Sequence, residues 1–188
     1  MIICHPHQLI IITPPHTGSR SLNRSLTSQV NNTFACYGLS PDGGIDHHTT
    51  QIPSGIDEYD KYIVVRHPLD RLVGLWFHLV SWNASHGHGC GDFSWFVENI
   101  VKKDQTFLSI MYRWTITDWV AGVQPNGIIH FETLLEELNG LFKIPISLYK
   151  TESTRPQKHW SEFFNEYLLT ICREWAEQDI ALGGYPPF

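Results

Sequence analysis

Residues 13–22, TPPHTGSRSL, combine hydroxyls at Thr17, Ser19 and Ser21 with a glycine at 18 and two nitrogen-bearing side chains, His16 and Arg20. They follow the apolar run Leu9–Ile12. Gly18 lets backbone N–H groups approach an anion with no Cβ in the way, and a helix starting near Ser19 would aim its positive dipole end into the same space. Such a loop can surround a phosphate. It is not a Walker A loop, because it lacks the first glycine at the required offset, the lysine, and an evident Mg²⁺-holding Asp after the later strands. Taken alone, the stretch reads equally as an ordinary polar strand-to-helix turn. A second candidate is Arg66, at the tip of KYIVVR (61–66), whose guanidinium could form a two-pronged bond to an anion. Its plainer reading is a strand cap or a partner for Asp70.

These residues need elements to position them. QLIIIT (8–13) is a continuous β-branched run of the kind covered on both faces, and Leu22, Leu26 and Val30 then recur at helical spacing. TFACYG (33–38) predicts a second strand, KYIVVR a third and GIIHF (127–131) a fourth. Pro68 opens a helix to about Trp82 with Leu69, Leu72, Val73, Trp76 and Val80 on one face. Helical segments follow near 92–101 and 106–121, then ETLLEELNGL, then a long helix over about 158–178. In that last helix Trp160, Phe163, Phe164, Tyr167, Leu168, Ile171, Cys172 and Trp175 form an apolar stripe. Alternating strands and helices predict an α/β fold: a central parallel sheet of about four to five strands flanked by helices. Ligands of such sheets bind beyond the carboxyl ends of the strands, where the loop and Arg66 both lie.

Composition narrows the function. A single domain over residues 1–188 is expected, since no linker, repeat or low-complexity tract divides the chain. The net charge of −6 argues against a broad basic face for nucleic acid, so an anion must be held locally. No apolar run approaches the roughly 20 residues of a membrane span, and MIICHPH does not resemble a signal peptide. A soluble, cytoplasmic protein is expected. Cys4, Cys36, Cys90 and Cys172 show no CxxC pairing and read as reduced thiols. His5 and His7, and His86, His88 and Cys90, are zinc-ligand types, but alternate-residue ligands on a Gly-rich loop with no distant second pair form a weak pattern. Trp76, Trp82, Trp95 and Trp114 could stack on a sugar or simply fill the core.

PPHTGSRSL is similar to the "PKTGSTTL" loop of sulfotransferases that use 3′-phosphoadenosine 5′-phosphosulfate (PAPS), and YIVVRHPLDRLVGLWFH resembles their "VRNPxDRLVSxYxH" signature. DHHTTQIP, IIHFETLLEEL and REWAEQDIALGGY match further family segments in the same order, so the likeness runs along nearly the whole chain and is nearest to carbohydrate-type and bacterial members. The resemblance implies a P-loop-NTPase-like sulfotransferase fold. It also implies transfer of a sulfuryl group from PAPS to a hydroxyl of a carbohydrate or small molecule, leaving adenosine 3′,5′-bisphosphate (PAP), without a metal. Pro15, His16, Thr17, Gly18, Ser19, Arg20 and Ser21 would hold the 5′-phosphosulfate, and Arg66 the 3′-phosphate; Arg155 and Lys158 could reach the nucleotide or be solvated. His48, or His47 beside it, would take the acceptor's proton, a role suited to histidine; a solvated loop pair is the alternative. There are two departures: the family's loop lysine is His16 here, and its 3′-phosphate serine is Gly74. His16 and Arg20 would then share the lysine's role at the leaving oxygen. A nucleotide-binding module without turnover is the alternative function, and a His-rich metal-binding protein a third.

Overall fold

The computed structural model describes the chain except residues 32, 36–37, 40–44, 47–49, 87–90, 103–114, 150–155 and 157; for 34–35, 38–39, 45–46, 82–86 and 102 it describes the backbone alone. Contacts divide the chain into two compact units, one of residues 1–66 with 118–151, the other of 67–117 with 152–188.

The first unit is built on a sheet. Its strands are β1 (Ile2–Cys4), β2 (Leu9–Ile12), β3 (Thr33–Ala35), β6 (Asp60–Val65) and β7 (Gly127–His130), in the order β3-β1-β2-β6-β7. A separate antiparallel ribbon pairs β4 (Gly38–Leu39) with β5 (Ile45–Asp46). The expected parallel arrangement holds for β2, β6 and β7 and fails elsewhere: β1 is antiparallel to both β2 and β3. The reason is a tight hairpin. A 3-10 turn over His5–His7, with Gln8 in the left-handed region at φ 52°, folds β1 back on β2, and the expected second strand, present as β3, pairs antiparallel with β1.

Alternate strand residues share one face of the sheet. Ile2, Cys4, Leu9, Ile11, Val64 and Ile129 pack there with Leu22 and Leu26 of α1 (Ser19–Gln29). A second helix, Leu134–Phe142, adds Leu138 and Phe142 to the same cluster after a 3-10 turn at Phe131–Thr133. Burying each such side chain stabilises the fold by about 2 kcal/mol. Ile10, Ile12, Ile63 and Val65, pointing the other way, are also buried, which accounts for the unbroken apolar runs.

The second unit is helical. Its helices α2 (Pro68–His86) and α3 (Phe93–Lys102) pack with a long helix over Glu166–Gly183. Leu69, Leu72, Val73, Phe96, Ile100, Leu168, Cys172 and Trp175 form the core. Asp92 starts α3 by accepting the Trp95 N–H at 2.8 Å. Between α3 and the long helix along the chain lies α4 (Ile116–Trp119), of which only the first two residues belong to this unit; the expected 106–121 helix otherwise falls largely outside the described residues. Numbered in order, the helix after β7 is α5 and the last one α6.

The expected helix over 158–178 is divided. His159 caps a 3-10 turn over Trp160–Phe163, Phe164 is extended, and Asn165 caps α6 by accepting the Leu168 N–H at 2.9 Å. Two local caps override the continuous apolar stripe, and Tyr167 consequently lies outside the core, 54% exposed.

Candidate functional site

Parallel pairing brings three strand ends together: Ile12 is in register with Ile63, and Val65 with His130. The segment leaving each end contributes to one cluster within the first unit. After β2 the loop closes on itself, with the Thr17 N–H and hydroxyl both donating to the Pro14 carbonyl, at 3.3 and 2.7 Å. His16 (φ 65°) and Gly18 (φ 82°) adopt the left-handed region. That conformation costs a residue bearing a Cβ about 1–2 kcal/mol and concentrates at functional positions. Gly18 is the N-cap of α1, no side chain caps it, and the first turn contains no acidic residue. The helix's own first turn therefore supplies no carboxylate to neutralise its positive end.

After β6 comes Arg66. Its Nη1 donates to the His16 carbonyl at 3.0 Å, and its Cζ lies 4.3 Å from the centroid of the Phe131 ring, the residue after β7. The same ring borders Gly18: a Cβ placed there would stand 2.8 Å from Phe131 Cε2. Loop, arginine and phenylalanine are thus one assembly. The edge also carries His130, whose Nδ1 lies 2.9 Å from Glu137 Oε1 and whose N–H donates to Glu137 Oε2 at 3.1 Å. The Thr133 hydroxyl donates to the same carboxylate.

The helix after the loop is tied along its length to residues 147–149. Ser21 donates its hydroxyl to the Tyr149 carbonyl, Ser25 Oγ accepts the Tyr149 N–H at 2.6 Å, and Gln29 bonds both ways with Ser147, at 2.6 and 2.8 Å. Arg24 stacks over the Tyr149 ring, its Cζ 5.0 Å from the centroid.

The residues singled out in the sequence fall as follows. Pro15, Thr17 and Ser19 are buried, His16 and Gly18 half-buried, and Arg20 exposed. The Thr17 and Ser21 hydroxyls, expected to face an anion, are committed within the protein, to Pro14 and Tyr149. Gly74 is half-buried on α2, in the second unit. His47, His48 and Arg155 lie outside the described residues, as do His88, Cys90, Cys36 and Trp114. Lys158 is exposed, 3.9 Å from Glu162. His5 and His7 diverge: His5 bonds the Tyr59 hydroxyl at 2.8 Å and His7 packs edge-on against Phe142. Among the described residues no three His, Cys, Asp or Glu side chains are grouped as metal ligands. Trp76 packs against Phe77 and Phe93, whereas Trp95 is 40% exposed.

Phe131 and the His130–Glu137 pair were missed in the sequence. For Phe131 the position directly after a strand was the one available signal, and it does not distinguish a functional aromatic from a core one.

No protein-family model matches the chain, and no curated protein or solved structure shows significant similarity to it.

Proposed function

We propose that the chain is a PAPS-dependent sulfotransferase, with the donor's anionic groups held where β2, β6 and β7 end. One observation carries this reading: Arg66 donates to the carbonyl of His16, so the loop and the arginine, 50 residues apart, meet at one place. The start of α1, with no side-chain cap and no acidic residue in its first turn, fits an anion approaching the backbone. The parallel pairing of β2 with β6 is compatible with the α/β sheet that this reading requires.

Within this reading the first-turn N–H groups of α1, with His16 and Arg20, hold the 5′-phosphosulfate, and Arg66 holds the 3′-phosphate. Thr17 and Ser21 act differently, shaping the loop and anchoring α1. The acceptor oxygen forms a bond to sulfur as the bond from sulfur to the 5′-phosphate oxygen breaks. PAP departs with that electron pair, and the acceptor's proton passes to His48 or His47. Charge grows on the leaving phosphate, where oriented donors lower the barrier. His16 can donate there as an imidazolium or a neutral N–H. The acceptor class is a carbohydrate or small-molecule hydroxyl.

A second reading, a nucleotide-binding module without turnover, is favoured by His16 in place of the family lysine and by the Thr17 and Ser21 hydroxyls donating to backbone carbonyls. Calorimetry with PAP and transfer of labelled sulfate to an acceptor panel decide between them. Binding with transfer is expected. Binding without transfer to any acceptor supports the second reading, and absence of binding overturns both.

A further inference from the structure

We propose that Phe131 is a positioning residue for this anion site, its ring face holding the Arg66 guanidinium in a fixed plane against the loop. The proposal rests on the anion-binding reading above, and its geometry stands independently. An arginine side chain is long and rotatable, and an aromatic face against the guanidinium restricts the planes its fork can take. The separation of 4.3 Å is well inside the distance of about 6 Å at which a cation is drawn to an aromatic face. Strand register places the ring there, since pairing of Val65 with His130 sets the next residues, Arg66 and Phe131, side by side. The same ring closes on Gly18, so one side chain touches both the arginine and the start of α1.

The competing role is simple packing, because Phe131 also borders the core of the first unit. Leucine separates the two: it restores most of the apolar volume but has no ring face. Tyrosine or tryptophan retains the face.

The test measures PAP binding by calorimetry for the wild type, Phe131→Leu, Phe131→Tyr and Phe131→Trp, with the thermal midpoint of each. In parallel, the side-chain Nε–H resonance of Arg66, assigned by its loss in Arg66→Lys, is recorded without ligand. We expect Phe131→Leu to weaken PAP binding about tenfold, while Phe131→Tyr or Phe131→Trp stays within about threefold. We expect the ring-current shift of the Arg66 resonance to vanish in the leucine variant and persist in the tyrosine variant. Equal affinity of folded Phe131→Leu and wild type overturns the proposal, as does an Arg66 resonance unmoved by leucine. If the wild type binds neither PAP nor inorganic sulfate nor pyrophosphate, the anion-site reading fails, and the ligand-free resonance still decides whether the ring holds the arginine. Should leucine prevent folding, Phe131→Met carries the same comparison.

Discussion

Gly18 shows how narrow the tolerance of the loop is. Its φ of 82° disfavours any side chain, and a Cβ would press on Phe131 at 2.8 Å. Gly18→Ala is therefore expected to cost about 1–2 kcal/mol from backbone conformation alone. Displacement of Phe131 adds to this and should weaken PAP binding beyond the stability loss. Denaturant titration and calorimetry on the same variant separate the two effects; wild-type affinity in a destabilised variant would mean that the ring contact plays no part in the site. His16 at φ 65° is the less readable residue. Nothing about a histidine announces a left-handed backbone, and the loop's actual shape was hidden for that reason, although Thr17, Gly18 and Arg66 were identifiable from their chemistry. The hydroxyls of Thr17 and Ser21 were less legible: residue type reveals a donor but not its partner, and both donate to backbone carbonyls.

Among the elements, β2 and β6 were legible because doubly buried strands must be continuously apolar. The β1 strand was not, since its hairpin turns on His5–His7 and Gln8 rather than on glycine or asparagine. The last helix was overextended in the sequence reading because a pattern of period 3.6 continues through a 3-10 turn and a cap without interruption. The buried acid of that helix holds the start of α4, for Asp179 accepts the N–H groups of Ile116 and Thr117 and the Thr117 hydroxyl, each at 2.8 Å. Asp179→Ala leaves those buried donors unsatisfied, and a loss of about 2–4 kcal/mol is expected in urea unfolding. Asp179→Asn, which can still accept, should lose less. A neutral alanine variant would contradict this assignment.

For the molecule as a whole, the α/β class was readable from alternating elements, while the division of contacts into two units was not, because each unit is assembled from two distant stretches of chain. Among the described residues no helix is long and apolar enough to cross a membrane. Cys172 offers a probe of the helical unit. Burial pushes its thiol from the ordinary 9.0 up to about 12. Between those values the unfolded chain sheds the thiol proton and the folded chain keeps it, so this group's contribution to stability falls as pH rises through that window. At pH 8 the folded thiol should resist iodoacetamide and become alkylated only as α6 opens, which peptide mass spectrometry across a urea series would follow. Rapid alkylation without denaturant would show the helix core to be open.

The bonds from Ser21, Ser25 and Gln29 to residues 147–149 recur at every fourth position of α1, like teeth of a rack spaced about 6 Å apart. Any shift of the strap that they grip is handed up the helix to the turn bearing Gly18 and Arg20. If the proposed anion site holds, sequence drift around Ser147 would be a way for the chain to retune its grip on an anion without altering a single residue that touches it.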